Sequence, residues 1–181
     1  MDNTRKIRNI SKVMQYSCVA SAVLLVGFQL YFLTMIRINP DLILPVMTDN
    51  RTSMAISEAG SVQFLFAGLI FILPSLLISY AVWHLSRMFN LFRKGSYFSD
   101  EGASHLLVFS FVGLVTQLIA SQLASLAGTV ARVGTESNSL DINITISQQG
   151  LVQLLAWGTF FAVAWIMREG IRMAKENAEF I

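Results

Sequence analysis

The sequence predicts an all-α integral membrane protein with four transmembrane helices, and three observations carry that prediction. The 181 residues are 54% hydrophobic and only 13% charged, where a soluble domain carries about 25% charged residues. Mean hydropathy is +0.59. Four stretches approach or exceed the roughly 20 apolar residues that carry a helix across a bilayer, and none of the four contains Asp, Glu, Lys or Arg. A soluble core of this size lacks the polar surface to cover so much apolar side chain, which excludes an ordinary soluble enzyme. A net charge of +2 is too small a field for direct nucleic-acid binding. The single cysteine, Cys18, excludes an intramolecular disulfide, a CxxC redox pair and a cysteine-built zinc site.

The spans are residues 13–36, 62–85, 106–126 and 151–167, in one four-helix membrane domain covering 1–181. Backbone polar groups in lipid must be satisfied within the segment, so each span is a helix. The first exceeds the 7–15 apolar residues of a signal-peptide core, and Ile36-Arg-Ile-Asn-Pro40 offers no small-residue cleavage site, so it is expected to be retained. The second holds Pro74 and carries His84 at its end. It is expected to run on to about Lys94, where Arg93-Lys94-Gly95 reads as a helix end with cations and a glycine cap. The third follows Ser99, an N-cap candidate with Asp100 and Glu101 in the favourable first turn. Phe98 and Ala103 stand at the positions of a hydrophobic staple around that cap. The fourth span is the shortest. Arg172/Glu176 and Lys175/Glu179 at i,i+4 extend it as a cytoplasmic helical tail over 168–181.

Orientation follows the basic residues near the span ends. Arg5, Lys6, Arg8 and Lys12 precede the first span, Arg87, Arg93 and Lys94 follow the second, and Arg168, Arg172 and Lys175 follow the fourth. Loops 37–61 and 127–150 keep only Arg37, Arg51 and Arg132. Both termini are therefore expected in the cytoplasm.

Segments 57–71 and 147–161 share seven identities at one offset: Ser57/Ser147, Gly60/Gly150, Val62/Val152, Gln63/Gln153, Leu65/Leu155, Gly68/Gly158 and Phe71/Phe161. Two readings stand. One is a duplicated helical hairpin, parallel repeats about an axis along the membrane normal. The other is that two helices re-entering from one side need similar caps and similar apolar letters. Leu140-Asp-Ile-Asn-Ile-Thr-Ile-Ser147 alternates apolar and polar without a break, the pattern of a strand. A lone strand needs a partner, and 42–46 could supply one, within the limit set by Pro45. An apolar strip lying on protein or headgroups fits the pattern equally.

The absence of intramembrane charge removes the usual marks of proton relays, ion paths and voltage sensors. There are no paired carboxylates, no HExxH, no nucleophile elbow and no phosphate loop, so no catalytic residue, metal or cofactor is expected. Gly113, Gln117, Ser121 and Ser125, continued by Thr129, form a small and polar stripe on the third helix. Its expected role is helix packing; the alternative is a polar path through an oligomer. Gln63 and Gln153, with Gln15, Gln29 and Gln122, supply amides for interhelical bonds. His84 and His105 lie at facing ends of the second and third helices and can meet near the interface, where two imidazoles do not make a metal site.

The loop Phe92-Arg-Lys-Gly-Ser-Tyr-Phe-Ser99 resembles the G-x-x-F-S/T loop of a bacterial family catalogued as domain of unknown function 2975. The tail from Arg168 to Ile181 is similar to that family's acidic, apolar ending, although its final residues depart from the commoner form. The resemblance implies a bacterial cytoplasmic membrane and a genetic link to small helix-turn-helix regulators; it brings no catalytic residue. The expected role is a non-catalytic accessory, regulatory or self-assembling subunit. Its expected partners are the lipid bilayer and either a second copy or another membrane protein. The competing expectation is a component of a transporter or channel, with a path lined by the third helix.

Overall fold

The computed structural model describes residues 2–39, 50–133 and 148–179. Those residues form five helices: α1 (Asp2–Ile38), α2 (Asn50–Glu58), α3 (Ser61–Arg93), α4 (Asp100–Ala131) and α5 (Gln148–Glu179). No strand occurs among the described residues; the alternating segment 140–147 and its suggested partner 42–46 lie outside them. Four of the helices are long and apolar enough to cross a membrane, which makes this a multi-pass membrane protein. The 33 residues of α3 correspond to a length of about 50 Å at 1.5 Å per residue, beyond the ~30 Å hydrocarbon core. All four long helices therefore extend past their apolar stretches. α3 continues through Pro74 without a break, although the ring deprives that turn of one backbone donor.

The connection between α3 and α4 is built as its sequence suggests. The amide of Gly95 donates to Phe92 O at 3.1 Å and that of Ser96 to Leu91 O at 3.1 Å, the paired bonds of a Schellman cap. Gly95 has φ of 92°, a left-handed conformation that glycine adopts without Cβ strain. Ser99 then caps α4: its Oγ accepts from the Gly102 amide at 3.1 Å. The staple does not form. Ala103 is fully buried while Phe98 is 82% exposed, so the ring points away from the residue it was expected to cover.

The chain divides into two compact units, to which α1, α3 and α4 each contribute a part. One comprises Met1–Leu24, Leu77–Gln117 and Gln148–Ile181. Its interior is made of small residues and rings: Ala81, Ala103, Ser110 and Ala164 are fully buried, and Phe109, Trp157 and Phe160 meet edge-on or tilted at centroid distances of 5.1–6.4 Å. Ser79 Oγ donates to Ala22 O at 3.2 Å, joining α3 to α1 without a charge. At the end of α5, Arg172 pairs with Glu169 and lies 3.6 Å from Glu176, while Lys175 pairs with Asp100 of α4. The expected partner Glu179 has a side chain outside the described residues.

The other unit comprises Leu25–Leu76 and Leu118–Ser147. Its core joins Leu33 and Ile36 of α1, Ala55 and Ile56 of α2, Ala67 of α3, and Ala127 and Ala131 of α4. The helix α2 corrects the reading of 37–61 as a plain loop. Thr52, Ala55 and Ile56, all buried, recur at i, i+3 and i+4 and make one face of a short helix, and Ala59, just past its end, is buried too. Arg37 at the end of α1 fastens it. One guanidinium nitrogen donates to Ser57 O at 3.3 Å and to Ala59 O at 2.7 Å, carbonyls that the end of α2 leaves without helical partners. The same guanidinium lies 5.3 Å from the centroid of the Phe64 ring on α3, within cation–π range.

Candidate functional site

The α3–α4 turn sets two histidines against each other. His84 lies nine residues before the last residue of α3, and His105 lies in the second turn of α4. Their Nδ1 atoms are 2.9 Å apart, a hydrogen bond that requires one ring to donate and the other to present a lone pair. Two imidazolium rings cannot make it. Tyr80 meets His84 edge-on at 4.8 Å, and Glu101 Oε1 stands 3.9 Å from His105 Nε2. The Arg87 guanidinium lies over the Trp83 ring, 5.3 Å from its centroid. The sequence placed these two histidines at facing helix ends, and the structure brings them into direct contact. No group of three or more His, Cys, Asp or Glu side chains suited to a metal occurs among the described residues.

The small and polar stripe on α4 does not keep to one environment. Gly113 is buried, and the Trp157 ring of α5 occupies the space a side chain would take: a Cβ on Gly113 would lie 2.3 Å from two indole carbons. Here small size permits close approach, as expected of a packing position. Gln117 and Ser125 are half-buried, but Ser121 is exposed, with its Oγ bonded to Gln122 Oε1 at 2.9 Å. Thr129 returns its hydroxyl to Ser125 O at 3.0 Å. Of the four stripe positions, Gly113 is thus buried against α5, Gln117 and Ser125 are half-buried, and Ser121 is exposed on the isolated chain. The buried positions of α4 within the first unit are instead Gly102, Ala103, Phe109, Ser110, Gly113 and Thr116, a face that a stripe chosen by polarity misses.

Gln63 and Gln153, matched in the repeat, differ in setting. Gln63 Nε2 donates to Val133 O at 3.4 Å and is half-buried, whereas Gln153 is exposed. Their neighbours differ too. A Cβ on Gly68 would lie 3.8 Å from the Leu33 side chain, while open space lies over Gly158. Of the other amides, Gln15 has a buried Oε1 without a hydrogen-bond partner among the described residues. Sequence reasoning missed Trp157 and Arg37. A tryptophan in an apolar span carries no sign of which glycine it will cover, because the register between two helices is not written in either one. Arg37 was legible as the cation directly after the first span, and its partners are backbone carbonyls that any sequence would supply.

No protein-family model, no curated protein and no solved structure matches this chain.

Proposed function

We propose that this chain is a non-catalytic subunit of a bacterial inner membrane, with both termini in the cytoplasm, acting through contacts of its helices and charged tail with a second copy or another membrane protein. The observation that carries the reading is α5. Only 6% of its apolar window is buried, against 22% for α4. Its surface carries an exposed amide, Gln153, and a half-buried glycine, Gly158, over which nothing lies within 4 Å. Lipid supplies no partner for an amide, and glycine on a span surface lets another helix approach closely. The absence of charge from all four spans supports a contact role over ion transport. The packing of Trp157 on Gly113 favours contact over a polar path at that end of the stripe. Membership of the family known as domain of unknown function 2975 belongs to the same proposal, on the strength of the 92–99 loop. A duplicated hairpin has the seven identities in its favour and the unlike settings of Gln63 and Gln153 against it.

The test is oxidative cross-linking in native membranes of a Gly158→Cys variant made in a Cys18→Ser background, paired with purification in mild detergent. A disulfide-linked dimer, or one co-purifying membrane chain in fixed ratio, is expected. A monomer with neither defeats the proposal.

A further inference from the structure

α5 carries Trp165, Arg168, Glu169, Arg172 and Lys175 at spacings of three and four, which places them along one side of the helix. Opposite them, the first turns of α4 present Asp100 and Ser104. Together these seven residues line a groove of about 790 Å³, within the range of roughly 300–1,000 Å³ usual for small-ligand sites. Its position along α5 is specific. The apolar span ends at Met167 and the charged stretch begins at Arg168, so the groove crosses the level at which hydrocarbon gives way to water. That level is where phospholipid phosphates lie and where tryptophan is enriched.

The charges within the groove are not equally engaged. Lys175 pairs with Asp100, and Arg172 pairs with Glu169 and reaches Glu176 outside the groove at 3.6 Å. Arg168 has no ion-pair partner among the described residues. Of the lining charges, three are cationic and two anionic, and the uncompensated one is Arg168. Its planar guanidinium can donate two parallel bonds to a phosphate. Ser104 adds a hydroxyl donor across the groove. Trp165, 58% exposed, offers an indole N–H on an apolar ring, and Phe161, one turn away on the same side of α5, meets that ring at a centroid distance of 6.3 Å.

We propose that this groove binds a phosphate group carrying one negative charge, presented by an anionic phospholipid, with Arg168 as the principal ligand and Trp165 and Ser104 orienting the headgroup. The acyl chains lie along the apolar side of α5 below Trp165. A basic pocket between helices at the membrane surface is an established way of holding such headgroups. This inference stands apart from the proposed subunit role, since it requires no second chain.

The test uses the full chain, purified in mild detergent and examined by native mass spectrometry after exchange with phosphatidylglycerol or phosphatidylcholine. Wild type is expected to retain one phosphatidylglycerol at least about tenfold more strongly than phosphatidylcholine, a difference worth about 1.4 kcal/mol. Arg168→Gln should abolish the preference and Arg168→Lys restore it in part. Arg87→Gln, which removes an equal charge elsewhere, should leave it unchanged. The lipid-free melting temperature of Arg168→Gln should match wild type, because Arg168 forms no described ion pair to lose. In a parallel arm, millimolar glycerol phosphate or inorganic phosphate should fail to displace the lipid. Retention of the preference by Arg168→Gln, its equal loss in Arg87→Gln, or displacement by free phosphate would overturn the proposal.

Discussion

At Gly113 the absence of a side chain is a packing requirement that can be measured. A methyl group there would lie 2.3 Å from two carbons of the Trp157 ring, and an indole wedged among Phe109 and Phe160 has little room to retreat. Gly113→Ala is expected to cost about 1–3 kcal/mol, the range for overpacking a filled interior, read as a lowered unfolding midpoint in detergent. Trp157→Phe should recover part of that loss in the double variant, because the two changes share one contact. Gly158→Ala, with open space above it within the chain, should leave the unfolding midpoint of the monomer nearly unchanged. A Gly113→Ala protein as stable as wild type would show that Trp157 does not occupy this slot. The histidine pair makes a prediction of a different kind. With Nδ1 atoms at 2.9 Å, one ring must carry its proton on Nδ1 and the other must not. Nitrogen NMR of labelled protein should therefore show two unlike Nδ1 signals at neutral pH. Acidification to the point where both rings are protonated should abolish the bond and bring the signals together. Identical Nδ1 signals at neutral pH would mean that the rings are not bonded in this way.

Among the elements, α2 depends on a single side chain from outside it. A nine-residue helix is too short to be stable alone in water. It persists here through burial of Ala55 and Ile56 and through the Arg37 cap. Arg37→Ala removes a charge-assisted donor from two carbonyls, and a loss of about 1–3 kcal/mol is expected. The effect should appear locally, as faster hydrogen exchange of α2 amides with those of α5 unchanged; uniform exchange across the protein would disprove the latch. The four long helices and the turn between α3 and α4 were legible in the sequence, because their signals are local: an uncharged apolar run, a glycine after two cations, a serine before two acids. α2 was obscured by the expectation that everything between two spans is connection, although its i, i+3, i+4 face was present in the residues. What no single segment carries is register, which is why Gly113 could be singled out as a packing position without its tryptophan. For the same reason, the polarity of Ser121 gave no sign that its side chain would stand exposed.

At the scale of the whole molecule, the decisive question is whether α5 crosses the membrane or lies along its surface. The sequence left it the weakest span, since the uncharged stretch 151–167 has only the minimum length. The structure strengthens the case. An apolar window lies within a continuous helical segment, Gly150–Asn177, with a mean hydropathy of 1.7. A surface-lying helix keeps one polar face turned to water along its length. Along 151–167 the only side chains with hydrogen-bonding amides or hydroxyls are Gln153 and Thr159, and the Thr159 hydroxyl is returned to Leu155 O at 2.8 Å. A helix apolar on every side is one surrounded by hydrocarbon, so α5 is expected to cross. An even number of crossings would place the two termini on one side, and the basic residues flanking the first, second and fourth spans predict that this side is the cytoplasm. Reporters of compartment fused after Ile181 and inserted in 37–61 and 127–150 should therefore give opposite signals, cytoplasmic for the first and external for the other two. Shifting the balance tests the cause. Replacing Arg5, Lys6, Arg8 and Lys12 by Gln while adding four lysines to 37–61 should lower the cytoplasmic fraction of the N-terminus. An external reporter after Ile181 in the unaltered protein, with loop 127–150 also external, would place α5 on the surface and reduce the crossings to three.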